Sequence, residues 1–473
     1  MIIFGINENA HDAALSVIKD SEILFAAHSE RYSKIKNDWS LNDDIVKEAL
    51  SYGAPDRVAY YEKPLLKNLR ILLKGGKYDS QFTFKKYLKG VPVSYFNHHY
   101  SHAAAGYYTS KFSNAAIIVV DAIGEWNTTS IWKGESNNIK RVYTKNYPVS
   151  FGLFYSAFTQ LLGFEPNKEE YIVMGLAAFG DPKKYYDKVT SYFPSFQYQK
   201  YNFHIGITDW KIQAKDKADV AAAVQRVYEE RLTELVQHAY KLTKETNLVL
   251  MGGCALNCKA NTSLWNTFDN VWIMPNSGDA GSSLGAAAAL YNEHIVWNGP
   301  YLGHNITGDY PIDLILNDLI TKKVSAVANG RAEFGPRALG NRSILADPRD
   351  PSIKHYVNNI KQREPFRPFA PVVMEEYASE YFDMNFTSPY MQYAVKCKKS
   401  SIIPSAVHID GTSRVQTVNK HQHRGLYNLL EKWFAITGVP VLLNTSLNIK
   451  NQPLLNDSQD IELWEKTYNY KIR

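Results

Sequence analysis

"AAIIVVDAIGEWNTTSIWKG", residues 115–134, runs from a β-branched strand through a turn holding Asp121, Gly124 and Glu125 into a second strand. The same plan opens the chain: "IIFGINENAHDAALSVIKD", residues 2–20, sets Gly5, Asn7 and Glu8 between two apolar runs. This echo predicts duplicated hairpins. Two more strand-like runs end in glycine, "NLVLMGGCALNCKAN" (247–261) and "VWIMPNSGDAGSSLGAAAALY" (271–291), and the second feeds an alanine-rich helix. Strands that deliver Gly-rich turns to helix starts expose backbone N–H groups able to hold phosphate. Between the hairpins and these runs, residues 217–246 space their apolar side chains as one long amphipathic helix.

A chain of 473 residues exceeds what one core usually organises, so two domains are expected. Apolar residues at 45% and charged residues at 21% fit a globular enzyme and exclude extended disorder. The net charge of +6 is mildly basic, which suits anionic substrates such as nucleotides. Locally, the stretch from Lys63 to Lys89 mixes eight cations with aromatic residues. It reads as a solvated helical face or as a nucleic-acid or phosphosugar surface. Three cysteines, Cys254, Cys258 and Cys397, cannot build a disulfide framework, so a reducing cytoplasm is the expected compartment. The N-terminus reads as strand and turn instead of a targeting segment, and the most apolar run is interrupted by Asp121 and too short to cross a bilayer. No membrane partner is expected.

"NHHYSHAAAGYYTS", residues 97–110, sets three histidines in five positions. His98 and His102 lie one helical turn apart and share a face, but so do His99 and His102. The spacing therefore admits a metal site, or a helix packed through Ala103, Ala104, Ala105 and Tyr107 with its histidines hydrogen-bonded locally. After about Asn305 the texture changes, and a domain boundary is placed there. Residues 306–322 read as a linker leading into a helix, and the following region gathers Arg331, Arg337, Arg342, Arg349, Lys361, Arg363 and Arg367 among turns. Arginine forks there suit phosphate or carboxylate. The alternative is surface ion pairs with Glu333, Asp347 and Glu364.

Taken together, the segments "HDAALSV", "SERYSKIKND", "HHYSHAAAGYY", "VVDAIGEW", "VMGLAAFGDP", "GGCALNCKAN", "NSGDAGSSLGAA", "GRAEFGPRALGNRSILADPR", "IKQREPFRPFAPVV", "HIDGTSRVQTV" and "GVPVLLNTSLN" keep one order over nearly the whole chain. The chain thereby resembles the O-carbamoyltransferases of the NodU/CmcH type, which serve antibiotic and nodulation-factor biosynthesis. The resemblance implies an α/β protein of two domains. Residues 1–305 would form an actin-like ATPase (ASKHA) type domain akin to the tRNA threonylcarbamoyl transferases, and residues 323–473 a YrdC-like α/β domain after the linker 306–322. It implies that the second domain makes carbamoyl-adenylate from ATP and carbamoyl phosphate, and that the first transfers the carbamoyl group to an acceptor hydroxyl and releases AMP.

Residue by residue, the resemblance makes His98, His102, Asp121 and Asp279 ligands of a divalent metal, iron in the family, with His99 a bystander. Two imidazoles and two carboxylates suit a first-row divalent ion. It places Arg337, Lys361, Arg367, Arg414, Ser446 and Asn448 around carbamoyl phosphate and ATP, the latter with Mg2+. Gly252, Gly253 and Asn257 match a nucleotide-contacting turn, and His11 and Lys36 match positions near the transfer centre. Cys254 and Cys258, without nearby histidines, fall short of a structural zinc site. Ile172 stands where the family often has lysine, and Leu447 where phenylalanine is usual. The acceptor is left open. A sugar or natural-product hydroxyl leads, and a hydroxymethylated pyrimidine in DNA is the alternative that the Lys63–Lys89 stretch keeps in view. A tRNA threonylcarbamoyl transferase would leave the "GRAEFGPRALGNRS" region unexplained, and a non-catalytic nucleotide-binding module would need neither the metal set nor the cations. A homodimer is a further expectation.

Overall fold

The computed structural model describes residues 1–9, 12–73, 82–363 and 367–473. The chain divides into two compact units, one of residues 1–29 and 39–297, the other of residues 30–38 and 298–473. His11 lies outside the described residues.

The first unit is built on two five-stranded sheets. In one, β1 (Ile2–Asn7), β2 (Ala14–Lys19), β3 (Glu22–His28), β4 (Arg57–Tyr60) and β5 (Val93–Tyr95) lie in the order β3-β2-β1-β4-β5. In the other, β6 (Asn114–Gly124), β7 (Asn127–Glu135), β8 (Asn138–Asn146), β9 (Asn247–Met251) and β10 (Asn270–Trp272) lie in the order β10-β9-β6-β7-β8. Each sheet has an antiparallel three-strand meander followed by two strands parallel to its first, so the two follow one plan. The hairpins whose sequences echo each other are the first two strands of each sheet.

Two helices, α1 (His98–Thr109) and α4 (Gly281–Tyr291), pack against each other and lie between the sheets. α4 covers β1, β2 and β4, while α1 covers β6, β7 and β9. Helices buried on every side need small side chains, which Ala103–Ala105 and Ala286–Ala289 supply. The approach is close enough that a Cβ on Gly285 would stand 1.9 Å from the Ser101 carbonyl oxygen. On the outer face of the second sheet pack α2 (Phe151–Leu161) and the long helix α3 (Lys217–Thr243), which ends with Lys244 in the left-handed conformation.

The second unit begins seven residues before the boundary read from sequence texture. β11 (Tyr301–Ile306) pairs with β13 (Gly330–Glu333), and the stretch read as a linker contains the helix α5 (Ile312–Lys322). Residues 30–38, expected with the first domain, belong to this unit. Its main sheet has the order β12-β14-β19-β15-β18, from β12 (Val324–Ala328), β14 (Arg342–Ala346), β15 (Ala370–Met374), β18 (Gln416–Val418) and β19 (Val441–Ser446); β16 (Ala394–Lys396) and β17 (Thr412–Arg414) form a separate pair. Both faces are covered. Leu345, Val372 and Leu442 pack with Leu319 of α5 and Trp433 of α7 (Arg424–Thr437). Their neighbours Ile344, Val373 and Leu443 face Val357 of α6 (Ile353–Lys361) and Trp464 of α8 (Ser458–Tyr468). The period-two alternation is that of a sheet buried on both sides.

Arg342 shows why a scatter of arginines is ambiguous in sequence. It is fully buried and its guanidinium donates to the carbonyls of Asn329, Gly330, His304, Asn341 and Asn456, which makes it a structural tie. Arg331 binds the carbonyls of Leu302 and Gly303, Arg349 grips Asp347 through two 2.8 Å bonds, and Arg363 donates to Asn358 and covers the Phe369 ring. These four are accounted for by the fold, and Arg349 makes one of the ion pairs that the alternative expected.

Gly285→Val should lower stability by about 1–3 kcal/mol, because the two helices cannot separate without opening both sheets. Urea unfolding of the purified protein checks this.

Candidate metal and anion centres

In the first unit, β6 and β9 run parallel with Val119 opposite Met251, so Asp121 and the turn Gly252–Gly253 leave the sheet at the same end. Asp279 stands two residues before α4, and His98 and His102 occupy the first turns of α1. The close helix pair thus delivers three side chains to one strand end. Nε2 of His98 and Nε2 of His102 are 3.1 Å apart, each lies 3.2 Å from Asp121 Oδ2, and Asp279 Oδ1 is 3.4 Å and 3.3 Å from them. Donor atoms about 2.0–2.2 Å from a common ion stand about 3.0–3.5 Å apart, so this quartet fits a divalent metal. Among the described residues it is the one cluster of at least three such side chains that does.

The electrostatics agree. Burial alone would push the His98 and His102 imidazoles down, but Asp121 and Asp279 outweigh it and hold both above their ordinary value. Burial and the Asp279 carboxylate push Asp121 up, yet hydrogen bonds from His102 and His98 hold it below the usual carboxylate range. Two buried carboxylates this close require positive charge between them. His99 points elsewhere, with Nδ1 2.8 Å from Ser130 Oγ, and burial beside His98 holds it well below its ordinary value.

Sequence reasoning missed several neighbours. A Cβ on Gly124 would stand 2.3 Å from the His98 ring, so only glycine leaves room for that ligand. Ser277 and Ser282 flank Asp279 with buried hydroxyls that have no hydrogen-bond partner among the described residues. Gly252 adopts φ +94, and the site a Cβ would take on Gly253 is 3.3 Å from Asp121 Oδ1, which brings the expected nucleotide turn beside the metal quartet. Asn257 is engaged otherwise: it caps the helix Cys258–Asn261 and pairs with Gln225. Cys254 and Cys258 take no part in the quartet, and Ile172 is buried in a helix where a lysine would bury its charge. Glu8, after β1, is fully buried; burial pushes its carboxyl up to about 7 against hydrogen bonds from Thr83 and Phe84.

In the second unit, strand register gathers the cations. β14 and β15 both run antiparallel to β19, and β18 runs parallel to β15. The starts of β14, β15 and β18 therefore meet the end of β19. Arg337, Arg367 and Arg414 precede those starts, and Ser446 and Asn448 stand at the end of β19. Lys361, the last residue of α6, donates to the Ser446 carbonyl, to Ser446 Oγ at 2.9 Å and to Asn448 Oδ1 at 2.7 Å. Burial, then the charges of Arg363, Arg367 and Lys36, holds its ammonium well below its ordinary value. Lys36, expected at the transfer centre, belongs instead to this unit and acts electrostatically on Lys361. Arg337 lies in a loop fixed from beneath by Glu333 Oε1, which accepts from the N–H groups of Leu339, Asn341 and Arg342, while Arg31 donates to the Gly335 carbonyl.

Family profiles for the carbamoyltransferase N-terminus and C-terminus match residues 57–288 and 316–469. An uncharacterized protein of Synechocystis is 31% identical over 97% of this chain and 93% of its own length. The chain belongs to the carbamoyltransferase family. Within it, nodulation protein NolNO of Sinorhizobium fredii is 30% identical over 96% of this chain and 76% of its own. The 3'-hydroxymethylcephem-O-carbamoyltransferase of Amycolatopsis lactamdurans is 29% identical over 96% and 94%. The resemblance to the NodU/CmcH type thus holds, and the protein is an O-carbamoyltransferase family enzyme. No helix among the described residues is long and apolar enough to cross a membrane.

His102→Ala and Asp279→Asn should each lose the bound metal measured by plasma mass spectrometry, whereas His99→Ala should keep it. Gly124→Ala should lower metal content although it removes no donor. Glu8 makes a separate prediction. Its folded pKa lies above the ordinary 4.5, so the folded state binds the proton more tightly and stability falls as pH rises from 4.5 to about 7. Glu8→Gln should therefore stabilise the protein at pH 8 by up to about 3 kcal/mol, with the gain vanishing towards pH 4.5 in urea titrations.

Proposed function

We propose that the enzyme works in two steps. It activates carbamoyl phosphate with ATP to carbamoyl-adenylate in the second unit, then transfers the carbamoyl group to a hydroxyl of a sugar or natural product in the first, releasing AMP. The observation that carries this reading is that the family member builds two chemically different centres, one in each unit. The first unit, with its twice-used sheet plan, would be the actin-like domain and the second the YrdC-like one.

In the second unit, a buried lysine surrounded by Arg363, Arg367 and Lys36 is an unfavourable arrangement until an anion joins it. Carbamoyl phosphate and the ATP phosphates, with Mg2+, would supply that charge. Arg367, Arg414 and Arg337 would take phosphate oxygens in bidentate fashion, Ser446 and Asn448 would orient Lys361, and Lys36 would add a further cation. Water would first cleave carbamoyl phosphate to carbamate and inorganic phosphate; as a carbamate oxygen then attacks the α-phosphorus of ATP and pyrophosphate leaves, these groups would hold the spread negative charge.

In the first unit, His98, His102, Asp121 and Asp279 would hold the divalent metal, iron by the family pattern. When bound, it would supply Lewis-acid stabilisation to the departing AMP phosphate. The Gly253 N–H and the Ser277 and Ser282 hydroxyls would take the remaining phosphate oxygens, with the N-terminal end of α4 favouring their charge. His11 would accept the acceptor's proton as its oxygen attacks the carbamoyl carbon.

Arg367→Ala should abolish carbamoyl phosphate-dependent exchange of pyrophosphate with ATP, yet transfer should recover when synthetic carbamoyl-adenylate is supplied. Normal exchange in this variant would move the activation site elsewhere. His102→Ala should show the converse, keeping exchange while losing transfer. Arg367→Lys should not rescue activity, because an ammonium lacks the planar fork.

A further inference from the structure

The helix Pro64–Leu73 turns a row of leucines to solvent. Leu65, Leu69 and Leu72, at positions i, i+4 and i+7, are 78%, 51% and 51% exposed and form one stripe, with Leu66 beside it at 37%. Asn68, at the edge of the stripe three residues after Leu65 and four before Leu72, is buried. Holding four leucines in water while burying an amide is unfavourable unless something covers the stripe.

The charge along this stretch of chain selects the occupant. From Lys63 to Lys89 the chain carries eight Lys and Arg residues against one Asp. Of the described side chains, Lys63, Lys85, Lys86 and Lys89 are exposed, with Lys86 paired to Asp43. A second copy of the same face would bring like charges together. A polynucleotide would satisfy the cations but leave the leucines without a partner, since its bases are gripped by aromatic stacking. An anionic lipid surface satisfies both, because leucines enter the acyl boundary while lysines meet headgroup phosphates.

We propose that Pro64–Leu73 is a peripheral anchor that lays its leucine stripe into anionic bilayers. The expectation of no membrane partner rests on the lack of a spanning segment and does not bear on a helix lying in the plane of the surface. The anchor begins close to the metal quartet: the Tyr61 ring lies 5.3 Å from the His98 ring, and the Lys63 N–H donates to Glu125. The stretch that kept a DNA acceptor in view thus acquires a different ligand.

The test is flotation of the full-length protein with vesicles of phosphatidylcholine alone or with 30 mol% phosphatidylglycerol, across a salt series. The wild type should float with the anionic vesicles only, and less at high salt. The combined variant Leu65→Asn, Leu69→Asn, Leu72→Asn should lose binding at least about tenfold while keeping its thermal transition and its metal content. Replacing Lys85 and Lys89 by Ala should weaken binding and flatten its salt dependence. The proposal is overturned if the wild type does not float, or if the leucine variant floats as well as the wild type. It is also overturned if sedimentation velocity shows that the leucines instead hold two copies together.

Discussion

Asp121 and Asp279 are buried within a few ångströms of each other, and the first unit is arranged to make that tolerable. Two carboxylates out of water repel each other and have lost their hydration. His98 and His102 answer part of that charge, and a divalent ion between the four donors would answer the rest. To bring them together, the fold sets Asp121 near the end of β6, starts α1 at His98 and starts α4 just after Asp279. The glycines at 124 and 285 follow from the same requirement, one admitting the His98 ring and the other letting α4 approach Ser101.

The second unit meets the opposite problem by the same means. Strand starts and one strand end gather cations around Lys361, whose protons are directed to Ser446 and Asn448. One unit brings two carboxylates together with two imidazoles, and the other brings Arg363, Arg367 and Lys36 around a buried lysine.

Much of this was legible in the sequence, and for identifiable reasons. The echo of residues 2–20 in residues 115–134 announced the twice-used hairpin, because strand–turn–strand chemistry is local. The metal quartet was named only through the family resemblance, since spacing could not separate His98 from His99 as the partner of His102. Only their surroundings do so: His99 meets Ser130, while His98 meets Asp121. The arginines were harder. Arg337, in a loop, and Arg342, the first residue of β14, sit five residues apart and look alike in sequence, yet Arg342 is spent on five backbone carbonyls. Residues 30–38, Lys36 among them, leave the first unit and return, a path that no local pattern records. Glu8, Ser277 and Ser282 drew no notice because burial of a polar atom is a property of the packed chain.

X-ray absorption spectroscopy at the edge of the bound metal tests the quartet of His98, His102, Asp121 and Asp279 most directly. The predicted spectrum has only nitrogen and oxygen neighbours at about 2.0–2.2 Å, with the outer-shell pattern of two imidazoles, and it loses one imidazole in a His102→Ala sample reloaded with metal. A sulfur neighbour, which would implicate Cys254 or Cys258, or a wild-type spectrum without imidazole scattering, would contradict it.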